Sequence, residues 1–245
     1  MKQNKITLLL SLILTLTIVT LKAQNKTHTQ TINHEDVYDS LLKKHVSPSG
    51  LVNYKTFLED KKNLQSYLDY LANHPPSKTH PKQKKLAYYI NLYNAATIYL
   101  ILEKYPLKSI KDIENPWYIK FISIGDKKHS LNYVEHKILR KMEEPRIHFA
   151  INCASYSCPD LLNEAFKAEK LEEQLNKVTS NFINGDKNKI QENKVQLSKI
   201  FQWFKDDFTV NDKKDLIGFL NEYSMVKINN KAKIQFLKYD WRLNE

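Results

Sequence analysis

The sequence predicts an α+β fold: a mainly helical single domain over residues 34–245, with a small, largely antiparallel sheet and a buried central helix at about 86–102. Three observations carry this. Apolar residues recur at helical spacing in several long stretches. The strand-like runs are short and sit around turn residues. Four glycines in 245 residues are too few for an all-β sandwich built on many tight turns.

The chain opens with Lys2 and Lys5, an apolar and hydroxyl-bearing run from Ile6 to Leu21, and the small residue Ala23. A charged start, a short apolar run and a small residue are the parts of a secretory signal peptide, expected over 1–23. No cysteine follows that run, so no lipid anchor is expected. Residues 24–33, QNKTHTQTIN, are polar and aperiodic and read as a linker. The protein is therefore expected to be exported, periplasmic or extracellular, with no stable membrane insertion after cleavage.

DVYDSLLKKHV places Val37, Leu41 and Leu42 at helical spacing. SPSGLVNY is a turn. Phe57, Leu64, Tyr67, Leu68 and Leu71 continue the helical period until NHPPSKTHP interrupts it. LAYYINLYNAATIYLIL, residues 86–102, is apolar nearly all round. Its 17 residues stand at the lower limit for crossing a bilayer. Asn91 and Asn94 would be costly in lipid, which favours a core helix.

SIKDI is a short helical turn, and WYIKFISIGDKKHSL reads as a hairpin around Gly125 and Asp126. LNYVEHKILRKM is amphipathic and helical, with Asn132 or Ser130 as its cap. RIHFAINC is read as a short strand. Residues 168–184 are helical, NKIQENKVQLS is a second hairpin, and IFQWFKDDF and KKDLIGFLNEYS are helical. AKIQFLKYDWRLN ends the chain with a strand and a polar-aromatic tail.

The formal net charge is +11, carried by lysines spread along the chain without a dense block. Such a balance suits solubility and attraction to anionic surfaces. With export expected, nucleic acid is not an expected partner. No GxGxxG or GxxxxGK pattern occurs, so no nucleotide cofactor is expected.

Five stretches taken together, YYINLYNAATI (88–98), LNYVEHKILR (131–140), HFAINCASYSCP (148–159), LSKIFQWFKDDF (197–208) and FLKYDWRLN (236–244), resemble the domain of unknown function family numbered 547. The resemblance spans most of 35–244 and implies an exported bacterial member with a shared fold and site. It implies no reaction.

HFAINCASYSCP concentrates the reactive side chains, holding both cysteines of the chain. Read as a strand, it puts His148, Ala150 and Asn152 on one face and Cys153 on the other. A Cys153–His148 pair then requires the chain to turn after Asn152, which ASYSCP permits. Four readings of Cys153 and Cys158 are open: a disulfide, two inert buried thiols, a thiolate assisted by His148, or a metal site. Export favours the disulfide, which would fix the loop beside His148. His148, Cys153 and Cys158 lack a second ligand pair, so no metal is expected.

Asn91, Asn94 and Thr97 form a polar stripe at i, i+3 and i+6 on the apolar helix. Buried amides need partners, so the stripe either pins neighbouring loops or floors a pocket. Asn91, Asn94, His148 and Asn152 are expected in one polar cluster. Glu135 and His136 point about 100° apart on a helix, one to the core and one to solvent. Asp240 is a binding candidate beside Trp241, and Asp206 and Asp207 are expected to face water.

Two functions follow. The first is a non-catalytic, ligand-binding module of the cell envelope, using Asn91, Asn94, Glu135 and Asp240. The alternative is a thiol- or His-assisted hydrolase or acyl transferase acting on peptide-like or envelope material, in a papain-like or transglutaminase-like arrangement. There His148 is the base, Cys153 or Cys158 the nucleophile, and Asn152 or Asn94 the orienting amide. In those folds the central helix carries the nucleophile, and here that helix has no thiol. A free thiol of depressed pKa favours the enzyme; a bridge favours the binding module.

Overall fold

The computed structural model describes residues 34–211 and 213–245; the expected signal peptide and linker lie outside the described residues. Helix α1 (His34–His45) packs Tyr38, Leu41 and Leu42 inward, and α2 (Tyr54–Phe57) is a single turn capped by Asn53, whose Oδ1 accepts the Thr56 N–H. Helix α3 (Lys61–Asn73) buries Leu64, Tyr67 and Leu71, and Tyr67 stacks on Tyr38 with ring centroids 4.4 Å apart. The proline-rich segment then ends it, because proline cannot donate to a preceding turn.

Helix α4 (Lys82–Lys104) follows Pro81 and runs through the core. Ile90, Ala95, Ala96 and Ile101 are wholly buried, which matches its lack of a polar face. Each buried large apolar side chain contributes about 1.5–3 kcal/mol. Among the described residues, no helix is long and apolar enough to cross a membrane.

Strands β1 (Ile122–Ile124) and β2 (Lys127–His129) form the expected hairpin, with Gly125 at φ 56 in its turn. Helix α5 (Leu131–Tyr133) is capped by Ser130, not Asn132: the Ser130 Oγ accepts the Tyr133 N–H at 3.2 Å. The helix then widens into a π-helical stretch over Val134–Ile138 and tightens into a 3₁₀ turn over Leu139–Met142.

The expected strand at RIHFAINC is instead one helical turn, α6 (Ile147–Ala150), followed by extended chain. The His148 N–H donates to the Pro145 carbonyl and the Ile151 N–H to the Ile147 carbonyl. Ile147, His148, Phe149 and Ala150 are all buried, so no alternation of faces exists for a strand pattern to exploit.

A 3₁₀ turn at Ala168–Lys170 leads into α7 (Leu171–Asn184). Strands β3 (Lys189–Gln191) and β4 (Lys194–Leu197) pair antiparallel, as expected of the second hairpin. Helix α8 (Ile200–Trp203) and a 3₁₀ turn at Lys205–Asp207 precede the two-residue strands β5 (Thr209–Val210) and β6 (Lys213–Lys214), then α9 (Leu216–Tyr223). Strand β7 (Lys233–Phe236) adds to β4 in parallel. The strands thus form three small pieces, antiparallel except for that pair. Phe149, Phe182, Phe201, Phe208 and Phe219 join α6, α7, α8 and α9 in one aromatic core.

The tail after β7 lies along the loop that carries both cysteines. The Tyr156 N–H donates to the Arg242 carbonyl and the Ser157 N–H to that of Asp240. The Val52 N–H reaches the Asn244 carbonyl, and the Tyr54 hydroxyl donates to Asn244 Oδ1 at 2.7 Å.

Candidate functional site

Two asparagines of α4 set the local backbone. Asn94 Nδ2 donates to the Ala150 carbonyl at 2.9 Å, and its Oδ1 accepts the Asn152 N–H at 2.9 Å. Asn91 holds Phe166 in the same two-handed way, at 2.8 and 2.9 Å. The stripe therefore pins two different loops. It does not gather the four expected polar residues: Asn94 and Asn152 meet, while Asn91 and His148 each have other partners.

Asn152 shapes the turn that follows. Its Oδ1 accepts the Ala154 N–H at 2.7 Å and its Nδ2 donates to the Pro159 carbonyl at 2.8 Å. Ala154 takes φ 59, a left-handed conformation that costs a non-glycine residue of order 1 kcal/mol. The turn folds Cys153 and Cys158 together. They are free thiols whose sulfurs stand 2.9 Å apart, longer than the bonded S–S distance of about 2.05 Å. The pair is close, but the expected disulfide is not formed in this structure.

Donors surround the Cys153 sulfur. The Cys158 thiol donates to it at 2.9 Å, Ser155 Oγ lies at 3.1 Å, and the Tyr239 hydroxyl lies at 3.4 Å. The Ser155 and Tyr239 hydroxyl oxygens also lie 3.0 Å from one another. The Cys158 donor, followed by Ser155 and Tyr239, outweighs burial and holds the Cys153 thiol below its ordinary value. Burial, and then the neighbouring Cys153 sulfur, pushes the Cys158 thiol well up, so Cys158 keeps its proton.

These groups lie in a cleft of about 350 Å³, walled by Trp117, Trp203, Phe204, Tyr239 and Trp241. Trp241 meets Tyr239 and Trp203 at centroid distances of 4.6 and 5.9 Å. Glu135, Tyr93, His136 and His148 also line it. Glu135 comes from the π-helical stretch, a distortion that recurs at functional sites. It is buried, the core-facing member of the Glu135–His136 pair, and accepts the Tyr93 hydroxyl at 3.2 Å. Burial, then the nearby Cys153 sulfur, raises its carboxyl to about 7, with Tyr93 opposing.

A charged relay borders the cleft. Arg140 Nε–H and Nη2–H grip Asp207 at 2.6 and 2.7 Å, and His148 Nε2 meets the same carboxylate at 2.8 Å. A carboxylate only accepts, so His148 Nε2 carries the proton, and its buried Nδ1 has no hydrogen-bond partner among the described residues. Burial would raise the Asp207 carboxyl, but His148 and Arg140 hold it far below the usual range. Asp207 therefore does not simply face water as expected. Arg140 Nη1–H also donates to His136 Nδ1 at 2.9 Å, which leaves the His136 ring proton on Nε2. Burial, then Arg140, favours neutral His136.

His148 is thus committed to Asp207 and stacks on Phe204 at 4.0 Å. Among the described residues, no hydrogen bond joins it to either sulfur. The helical turn of α6 is the cause, since it aims the ring at the 205–207 turn. Asp240 departs from expectation too: it pairs with Arg242 and does not line the cleft. The extended tail turns its neighbours Tyr239 and Trp241 inward and Asp240 outward. The Tyr-x-Trp alternation is the signal that could have identified both cleft residues. Ser155, two residues from Cys153, could have been found as a donor in the turn. Among the described residues, no group of three or more His, Cys, Asp or Glu side chains could hold a metal ion.

Residues 76–183 match the model of a family described as a protein of unknown function, DUF547. The matched stretch contains α4, Glu135, His148 and both cysteines. No curated protein and no solved structure matches the chain.

Proposed function

We propose that the aromatic cleft binds an acyl compound and that Cys153 is its nucleophile, making the protein a thiol-dependent hydrolase or acyl transferase. The observation that carries this is the set of donors converging on the Cys153 sulfur inside the cleft. A thiolate at neutral pH needs such stabilisation, whereas an inert structural thiol does not. The free state of both thiols favours this reading over a non-catalytic binding module, which the same cleft would also serve.

Cys153 attacks the carbonyl carbon, forming a C–S bond as the carbonyl π electrons move to oxygen. Collapse of that intermediate expels the leaving group. Glu135, half protonated near neutral pH, supplies the proton the leaving group needs. Water or a second acceptor then takes the acyl group from sulfur. Tyr239 and Trp241 provide an apolar wall for the substrate. The role of base, expected of His148, passes out of the mechanism because the thiol is already acidified.

The location belongs to the proposal as well: export, directed by residues 1–23, towards peptide-like or envelope substrates. N-terminal sequencing of the secreted product would begin near Gln24; a product beginning at Met1 and staying with the cytosol would overturn it.

Activity is tested by mixing the reduced full chain with activated acyl esters and thioesters and examining the protein by mass spectrometry. The expected result is an acyl adduct on Cys153, lost in Cys153→Ala. Absence of any adduct on Cys153 across the panel would overturn the catalytic reading and return the cleft to ligand binding.

A further inference from the structure

We propose that Cys153 and Cys158 form a reversible dithiol–disulfide couple, in which Cys153 reacts with a hydroperoxide and Cys158 resolves the product into a bridge. The proposal concerns regulation of the site above and rests on Cys153 being its nucleophile.

Three observations carry it. The sulfurs are already in contact at 2.9 Å, so closing the bond requires an approach of about 0.9 Å. The loop between them, Ala154–Ser157, is closed by the left-handed Ala154, by Asn152, and by the Cys158 N–H donating to the Ser155 carbonyl. The sulfurs are therefore held together whichever redox state they take. Their settings also differ: both line the cleft, but Cys153 is partly exposed whereas Cys158 is buried. An accessible, acidified thiol beside a protected second thiol is the arrangement in which oxidation stops at a bridge.

The steps balance. The Cys153 thiolate attacks the distal oxygen of a hydroperoxide ROOH. The O–O bond breaks, an S–O bond forms, and RO⁻ leaves and takes up a proton as ROH, giving Cys153–SOH. The Cys158 sulfur then attacks the Cys153 sulfur, forming the S–S bond. The S–O bond breaks, and hydroxide leaves with the Cys158 proton as water. Two electrons pass from the two thiols to the peroxide. An external dithiol reverses the process by thiol–disulfide exchange and is itself oxidised. The bridge removes the nucleophile, so the acyl chemistry stops while the peroxide is present and resumes on reduction. Without Cys158 the sulfenic acid would persist and oxidise further, to the irreversible sulfinic and sulfonic acids.

The test uses the reduced full chain, hydrogen peroxide as the probe, intact-mass measurement and thiol counting. Wild type is expected to lose two hydrogen masses and both free thiols, and dithiothreitol is expected to restore both. Cys158→Ser and Cys158→Ala are expected to gain one oxygen at Cys153, then more, with no bridge, and dithiothreitol recovery is expected to vanish once a second oxygen is added. Cys158→Ser keeps a hydroxyl donor beside Cys153 and so controls for the donor lost in Cys158→Ala, and circular dichroism matching wild type excludes misfolding. Wild type that gains oxygen on Cys153 without bridging would overturn the proposal, as would bridging in wild type no faster than in urea. Neither measurement depends on an acyl substrate, so failure of the couple is distinguishable from failure of the proposed enzyme activity.

Discussion

Asn94 holds Asn152 by the backbone: its side-chain oxygen accepts the Asn152 N–H at 2.9 Å, while its amide donates to the Ala150 carbonyl two residues earlier. A side chain on the central helix thus does for this segment what a neighbouring strand does in a sheet. It fixes where the chain leaves α6 and begins the cysteine turn.

Replacing Asn94 by Leu strands two buried backbone groups, each costing about 1–3 kcal/mol. We expect a loss of about 3 kcal/mol in urea unfolding, together with slower alkylation of Cys153 in the folded protein. Asn91→Leu should cost a similar amount and leave Cys153 alkylation unchanged, since Asn91 holds Phe166. Equal effects of the two variants on Cys153 would contradict the assigned division of labour.

Asp207 joins Arg140 to His148, and neither partner has another carboxylate within ion-pairing distance among the described residues. Asp207→Asn should destabilise the protein by about 2 kcal/mol at neutral pH. That is less than the loss expected for a fully buried pair, because both side chains keep some exposure. Denaturant titration checks it; an unchanged midpoint would show the relay to be energetically silent.

Glu135 makes stability depend on pH. Its carboxyl is raised to about 7 in the folded chain, against about 4.3 when unfolded. The folded state therefore holds a proton that the unfolded state releases. The resulting stabilisation is complete below about pH 4.3 and disappears as pH rises through about 7. Glu135→Gln lacks this dependence, so the wild type should lose a few kcal/mol relative to it between pH 4.5 and pH 8, read from unfolding midpoints. Parallel pH curves for the two proteins would contradict the burial argument.

Much of this was legible in residues alone. The polar stripe of α4 announced buried amides in need of partners, and Asn91 and Asn94 have them. The two hairpins followed from their turn residues. The site was only half legible. HFAI has strand-like composition, yet it forms a turn buried on every side, where tertiary packing overrides propensity. The misread turn also misplaced His148. Asp207 lies 67 residues from Arg140, and no local pattern signals such a pair. Tyr239 and Trp241 are marked in the sequence only by their alternation about the charged Asp240.

The hydroxyls around Cys153 should be separable from the fold. Tyr239→Phe and Ser155→Ala each remove a donor to the sulfur, so each should raise the pH at which alkylation is half-maximal. The double variant should raise it further, towards the ordinary thiol value of about 8.5. Circular dichroism that matches wild type would exclude unfolding as the cause. An unmoved pH midpoint in the double variant would remove Tyr239 and Ser155 from the account.

The pH profile of iodoacetamide labelling on the reduced protein, with the labelled cysteine located by mass spectrometry, reads the acidity of Cys153 itself. Cys153 is expected to label in preference to Cys158, with a half-maximal rate well below about pH 8.5, and the fast phase to be lost in Cys153→Ser but not in Cys158→Ser. Equal labelling of both cysteines, labelling only after unfolding, or an ordinary thiol profile at Cys153 would contradict it.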